Sequence, residues 1–365
     1  MRLHRYFARK FLLTFLVILV IVATILASID LMEEVGRFSG KGVGFRKMMQ
    51  LTLLSAPRGL YEFLPLVMIL SSLALFLGLA RSSELVVTRA LGWSAMRVLI
   101  APVAVALLIG ATAVTVFNPI VTSTSNWYEY LSTKYRNGVE TTFSIGAEGL
   151  WLRQGTNDGQ AVIHAASANA SGSKFYDVTF TMFDGNGMPS ERIEAASARL
   201  GVGYWEMEDA KIWSFTKTGN PEAVSQWHRS IRIPSTLTQE RVAASIGSPS
   251  SVSFWDMRAH IAQLKRAGFS TRRQLVWLQT ELALPLFLAT MVLIGAAFTM
   301  RHARSGHTGL MVLFAILSGF ALYSVRTFAL ILGENGQIPV LLAAWAPPSA
   351  GLLLAFGLIL HLEDG

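Results

Sequence analysis

Residues 81–97 read RSSELVVTRALGWSAMR, a short charged stretch between two long apolar runs. Glu84 stands there among Arg81, Arg89 and Arg97. A carboxylate so placed can accept charge-assisted hydrogen bonds from a partner's cations. Two more charges lie inside apolar runs, Glu281 in LQTELALPLF and Arg326 in YSVRTFALIL. Ionisable residues at such depth face a cavity or a partner. Arg326 sits about six residues, or roughly 9 Å at helical rise, from the end of its run. Two readings stay open: a buried Glu281–Arg326 pair, or capture of an anionic lipid headgroup by a guanidinium suited to phosphate. Asp30, Glu33, Glu34 and Arg37 fall at i, i+3, i+4 and i+7, one face of a helix. That face either meets a polar ligand at a bilayer surface or is the wet end of a membrane span.

Other chemistries lack their residues. The chain of 365 residues has no cysteine, which excludes disulfides, thiolate nucleophiles and Cys-ligated metals. No GxxxxGK[ST], HExxH or GxSxG occurs, so neither nucleotide hydrolysis nor hydrolytic catalysis is expected of this chain. The seven histidines, among them His164, His228, His260, His302 and His307, have no ligand spacing. No cofactor or metal is expected. The net charge of +8 could suggest nucleic acid, but most lysines and arginines flank apolar runs, where membrane topology accounts for them.

The elements that position these charges are membrane helices. The chain is 52% hydrophobic, with a mean hydropathy of +0.45. The apolar residues gather into runs near 11–29, 60–80, 98–117, 274–299, 309–332 and 338–360. Each is of the order of the roughly 20 residues that cross a bilayer. The basic start MRLHRYFARK favours a first span with a cytoplasmic N-terminus over a cleaved signal peptide. Segments 1–10, 81–97 and 300–308 are then cytoplasmic, and the C-terminus with them. The loop 30–59, with Arg37, Lys41, Arg46, Lys47 and Arg58, runs against the rule. Residues 120–272 are polar and lie outside, in the periplasm of a bacterium with two membranes.

That insert reads as β. KFYDVTFTMF at 174–183 alternates and ends in Asp184-Gly185-Asn186-Gly187, a hairpin signal. Further strands are expected at 148–153, 160–165, 191–200, 202–208 and 210–216, forming a sandwich or jelly roll. Trp151, Trp205 and Trp213 either fill its core or line a groove. Residues 254–268 form an amphipathic helix leading into the fourth span. The fold class is an α-helical membrane protein with six transmembrane helices and an inserted extracytoplasmic all-β, jelly-roll-like domain. Its parts are residues 1–119, 120–272 and 273–365.

On a helical wheel, Glu84, Thr88, Gly92 and Ala95 share a narrow arc. Leu85, Val86, Ala90, Trp93 and Met96 form a broad apolar one, broken by Arg89 and Arg97. Such a helix lies flat at the inner membrane surface. A chain with six spans and no engine needs a source of work, and a carboxylate-bearing surface helix offers a cytosolic motor a grip.

At this stretch the sequence resembles the LptF/LptG family of lipopolysaccharide exporters, more on the LptG side. The resemblance rests on SELVVTRALGWS (83–94), RYFARKFLLTFL (5–16), APRGLYEFLPLVMILSSLALFLGLA (56–80), LKRAGFSTRRQLVWLQTELALPL (264–286) and GQIPVLLAAWAPPSAGLLL (336–354). It implies a permease that extracts lipopolysaccharide from the outer leaflet of the inner membrane and passes it to a periplasmic bridge. The implied partners are an LptF-like sister permease, an LptB-like ATPase dimer that binds ATP and magnesium, and an LptC-like bridge protein. Glu84, Leu85, Arg89 and Gly92 are the implied ATPase-coupling residues. Lipid would enter between the first and fifth helices of the two permeases. The family places basic residues at the outer end of the first helix, where this chain has Asp30, Glu33 and Glu34. Arg37, Lys41 and Arg326 are then the headgroup candidates. An LptF-type role, or an envelope scaffold or receptor with a periplasmic β domain, is the alternative.

Overall fold

The computed structural model describes residues 2–39, 43–137, 144–146, 149–156, 159–168, 174–185, 187–215, 220–235, 249–266, 269–300 and 308–363. Its contacts divide it into two compact units. One holds Met1–Arg136, Ser253–Trp255 and Arg272–Gly365; the other holds Asn137–Val252 and Asp256–Thr271.

The first unit is helical: α1 (Arg2–Phe38), α2 (Phe45–Arg81), α3 (Glu84–Ala90), α4 (Ala95–Thr112), a π-helical turn (Ala113–Phe117) and α5 (Asn118–Asn137). After the insert come α7 (Arg272–Thr299), α8 (Thr308–Glu334) and α9 (Val340–Glu363). Among the described residues, six helices are long and apolar enough to cross a membrane. They outrun the apolar windows that mark them. At 37 residues each, α1 and α2 extend about 55 Å, well past the roughly 30 Å of bilayer hydrocarbon. Most of loop 30–59 is therefore helix, and three of its cations are engaged along helix flanks: Arg37 by Glu33, Arg58 by Glu62, Lys47 over the Tyr135 ring. The third span likewise continues through the π turn to Asn137, beyond the boundary expected at residue 119.

Helix α7 is the hub. It packs against α2, α4, α8 and α9 and buries 78% of its apolar window, whereas α1 buries 6% and α8 11%. A helix apolar all round belongs in the middle of a bundle. Arg272, at its first turn, donates through Nε to the Gly333 carbonyl at 2.6 Å and through Nη2 to the Ile338 carbonyl at 2.5 Å. It thereby satisfies the end of α8 and its link to α9. Arg272→Ala should cost about 1.5–3 kcal/mol, the worth of charged hydrogen bonds, and Arg272→Lys should recover only part, because an ammonium lacks the fork. A melting curve in detergent checks both.

A π turn opens the helical ladder, and here the chain uses it. Trp255 Nε1 donates to the Thr115 carbonyl at 2.9 Å, and the Phe254 amide donates to Asn118 Oδ1 at 2.9 Å. The return segment 253–255 is thus fastened to the third span within the same unit.

The second unit is an antiparallel sheet of β1 (Ser144–Gly146), β2 (Gly149–Thr156), β3 (Gly159–Ala168), β4 (Lys174–Asp184), β5 (Pro189–Leu200), β6 (Tyr204–Ser214) and β7 (Gln226–Pro234), paired in chain order. A short helix, α6 (Met257–Arg266), adds Leu264 to the same core. The connections are hairpins, and the sheet curls. Gln154 of β2 accepts from Trp205 Nε1 of β6 and from Ser235 Oγ just beyond β7. Residues of β2 through β6 share one core around Trp205, so the insert is all-β and folded over its own centre. Residues 202–208 and 210–216 join as the single strand β6, interrupted only at Asp209, whose φ of 53° lies in the left-handed region. Of the three tryptophans, Trp205 is core; Trp151 is exposed beside His164, and Trp213 donates to Glu222. Glu222 is held below the usual carboxylate range by the hydrogen bonds from Lys211 and Trp213.

Candidate functional site

Three polar clusters stand out in the helical unit. The first surrounds Glu84. Ser83 turns the chain with φ 58°, and α3 runs only from Glu84 to Ala90. It ends where the Gly92 amide donates to the Arg89 carbonyl and the Trp93 amide to the Thr88 carbonyl. This double bond pattern needs a left-handed residue, and Gly92 supplies it at φ +79°. Ser94 then caps α4, accepting from the Arg97 amide. The segment 81–97 is therefore a helix, a stop and a second helix start, not one flat helix. The wheel missed the break because it carried the helical period through Gly92.

The break redistributes the expected coupling residues. Leu85 is buried in the bundle core, Gly92 terminates the helix, and Arg89 is half-buried. What α3 and its end present outward is apolar: Val86 at 54%, Val87 at 59% and Leu91 at 65% exposure. Glu84 turns toward α1. Its Oε1 accepts from Lys10 Nζ at 2.8 Å and from Ser82 Oγ at 2.9 Å. Its Oε2 accepts from the Tyr6 hydroxyl at 2.8 Å and from Lys10 Nζ at 3.0 Å. Burial works against ionisation, but the bonds from Lys10, Tyr6 and Ser82 and the Lys10 charge outweigh it. The Glu84 carboxyl is therefore held below the usual glutamate range. A depressed value means the network persists through neutral pH and is lost only as pH falls through it. Lys10 and Tyr6 belong to the basic N-terminus, which sequence reading spends on topology; their i, i+4 spacing was the available signal.

The second cluster lies within the spans. The Tyr61 hydroxyl of α2 donates to Glu281 Oε2 of α7, and the Asn118 side chain also reaches that hydroxyl. Glu281 is buried. The Arg326 guanidinium lies 4.7 Å from the Phe287 ring centre. The expected direct Glu281–Arg326 pair is replaced by attraction at longer range. The reason is register: Phe287 lies six residues beyond Glu281, about 9 Å along α7, and Tyr61 fills the place at the carboxylate. Tyr61 and Asn118 were not legible, since a tyrosine or asparagine in an apolar run carries no sign of its partner.

The third cluster ends α1. Arg37 donates to Glu33 at 2.6 Å and to the Tyr128 hydroxyl at 2.7 Å, and meets Glu34 at 3.4 Å. Tyr128 donates in turn to the buried Glu34 at 2.5 Å. Asp30 accepts from Ser55 of α2. Arg37 is thus engaged by two carboxylates, which makes it a weak anion receptor. Lys41 lies outside the described residues. The three clusters do not converge: one ties the N-terminal end of α1, one sits mid-span, and one ties the far end of α1.

Among the described residues, six helices long and apolar enough to cross a membrane, a β domain inserted between the third and fourth, and a short helix between the second and third define a multi-pass membrane protein. The comparisons agree. The chain belongs to the LptF/LptG family, the lipopolysaccharide export system permeases, whose sequence model matches residues 5–361. It is similar to the lipopolysaccharide export system permease protein LptG of Escherichia coli strain K12, at 24% identity over 98% of each chain. It is also similar to LptG of Haemophilus influenzae strain Rd, at 23% identity over 99% of each chain.

Proposed function

We propose that this chain occupies the LptG position in a complex that lifts lipopolysaccharide from the outer leaflet of the inner membrane toward a periplasmic bridge. The N- and C-termini lie in the cytoplasm and the β domain in the periplasm. An LptF-like permease completes the membrane part, an LptC-like protein joins it, and an LptB-like ATPase dimer holds ATP and magnesium. The observation that carries this reading is the uneven burial of the spans. The apolar windows of the first and fifth helices, α1 and α8, are the least buried of the six, at 6% and 11%. Those are the helices a sister permease and a lipid between the two subunits would cover. Arg326, on α8 and with no direct carboxylate partner among the described residues, is the better placed of the headgroup candidates.

Work enters from below. The exposed Val86, Val87 and Leu91 are the face for a groove on the motor, since burying each such side chain is worth about 1.5–3 kcal/mol. The motor's closure displaces α3, the spans turn as bodies, and the cavity shrinks around the lipid.

The test is capture from detergent-solubilised native membranes through a tag on this chain. The expected result is an ATPase, a second permease and lipopolysaccharide in the eluate; a chain that purifies with neither protein overturns the reading. The pair Val87→Asp and Leu91→Asp should lower ATPase recovery at least about tenfold, by the lost apolar burial, while the sister permease stays bound.

A further inference from the structure

We propose that Asn118 is a positioning residue that ties the return segment 253–255 to the hub helix, so that this segment moves with α7. The inference rests on the transport reading above and adds to it the place where motion of the spans enters the insert. Residues 137–252 before the segment and 256–271 after it belong to the β unit, while 253–255 belong to the helical unit. Two bonds fasten the segment to the third span. The exposed Trp255 donates through Nε1 to the Thr115 carbonyl, and the Phe254 amide donates to Asn118 Oδ1, both at 2.9 Å. The Phe254 ring packs against the helical core.

Behind Asn118 the bonds continue. Asn118 is 4% exposed and Glu281 6%, so what joins them is made away from water. The Tyr61 hydroxyl gives its one hydrogen to Glu281. Toward Asn118, which also reaches it, that oxygen can therefore only accept. Asn118 Oδ1 already accepts from Phe254, which leaves the Asn118 amide nitrogen to donate to Tyr61. Every donor then points the same way: Phe254 to Asn118, Asn118 to Tyr61, Tyr61 to the Glu281 carboxyl. Bonds in such a row polarise one another. The Tyr61 ring, stacked on Phe117 at 6.3 Å between centres, holds the hydroxyl in line. The row runs through the return segment, the third span, α2 and α7. Losing one member leaves its neighbours buried without partners, so the four segments hold together or part together. A displacement of α7 against α2 thus reaches the return segment, and through the chain on either side of it the β unit.

The experiment is a mutant cycle in the assembled exporter, read as lipid released per ATP hydrolysed. Tyr61→Phe and Asn118→Leu, each alone, should lower that ratio by about tenfold, the scale of a buried polar group left without its partner, with ATPase and sister permease content unchanged. The double variant should be about as poor as either single, because members of one network do not add. A double loss near the product of the singles, or singles at the wild-type ratio, overturns the proposal. Glu281→Gln keeps an acceptor for Tyr61 and should keep most of the ratio; a Glu281→Gln chain as poor as Tyr61→Phe also overturns it. A second measurement does not depend on transport. In the purified full chain, amide hydrogen exchange of the peptide containing Phe254 should quicken about tenfold in Tyr61→Phe, although that variant keeps both bonds from the return segment to the third span. Unchanged exchange would mean that the third span alone holds the segment, and the proposal fails. A wild-type chain that never binds an ATPase defeats the transport reading itself, a separate outcome, and the exchange result then judges the row.

Discussion

Trp205→Ala should unfold the β domain while leaving the helical unit intact. Trp205 has no exposed surface. Phe175 and Phe180 stand edge-on to it at 5.3 and 5.5 Å, and its indole nitrogen donates to Gln154 at 3.3 Å. Deleting a fully buried tryptophan costs about 3–5 kcal/mol. That is a large fraction of the 5–15 kcal/mol that holds a typical domain together. The hydrogen bond is the smaller part, since Gln154 Oε1 keeps its bond from Ser235. Trp205→Phe should therefore retain much of the stability, having lost the donor but kept an aromatic ring between its neighbours. Limited proteolysis of the purified protein reads the difference. Trp205→Ala should be cut rapidly within residues 138–252, with the spans protected; equal resistance in the variant and the wild type would refute the assignment of this core.

Which of these features were open to sequence reading depends on how far apart their causes lie in the chain. The spans were legible because hydropathy is a local sum, and each apolar run carries its own evidence. Their true lengths were not, because a helix continues through polar residues such as Glu33, Glu34 and Arg37 once it has been nucleated. The strands from 149 to 200 were legible from alternation and from the turn at Asp184. β7 was missed: only Ile231 and Ile233 alternate in an otherwise polar QWHRSIRIP, too short an apolar pattern to mark a strand alone. Glu84 was singled out in its stretch, but the partners it has within its own chain were not legible. Its partner Lys10 is 74 residues away, and no local pattern records that separation. The Glu281 and Arg326 charges were placed at a common depth, and the attraction is there, but Tyr61 and Phe287 decide what each side chain touches.

Gly110→Leu should separate α4 from the hub helix and cost the whole membrane unit its order. A Cβ at Gly110 would lie 2.5 Å from Pro285 Cα, 3.0 Å from its Cβ and 3.2 Å from its nitrogen. These are backbone and ring atoms that no rotamer change can move aside. Small residues let membrane helices approach this closely, and the site is doubly constrained. Pro285 cannot donate to the carbonyl four residues back, so α7 is already weakened where α4 presses on it. Overpacking costs about 1–3 kcal/mol where neighbours can adjust, and more where they cannot. Gly110→Ala should lower the melting temperature measurably, and Gly110→Leu should leave little monodisperse protein in detergent. The control is Gly78→Ala on α2, where an added Cβ meets nothing within 4 Å. There alanine's better helix propensity should raise stability by up to about 1 kcal/mol. The contrast separates close approach from any general effect of replacing glycine in a span, and it bears on export as well. The α4–α7 contact is one of two, with α2–α7, that join the first three spans to the hub, so loosening it should weaken the passage of motion across the bundle. A Gly110→Leu protein with wild-type melting would mean that α4 and α7 are not packed backbone to backbone at Gly110 and Pro285.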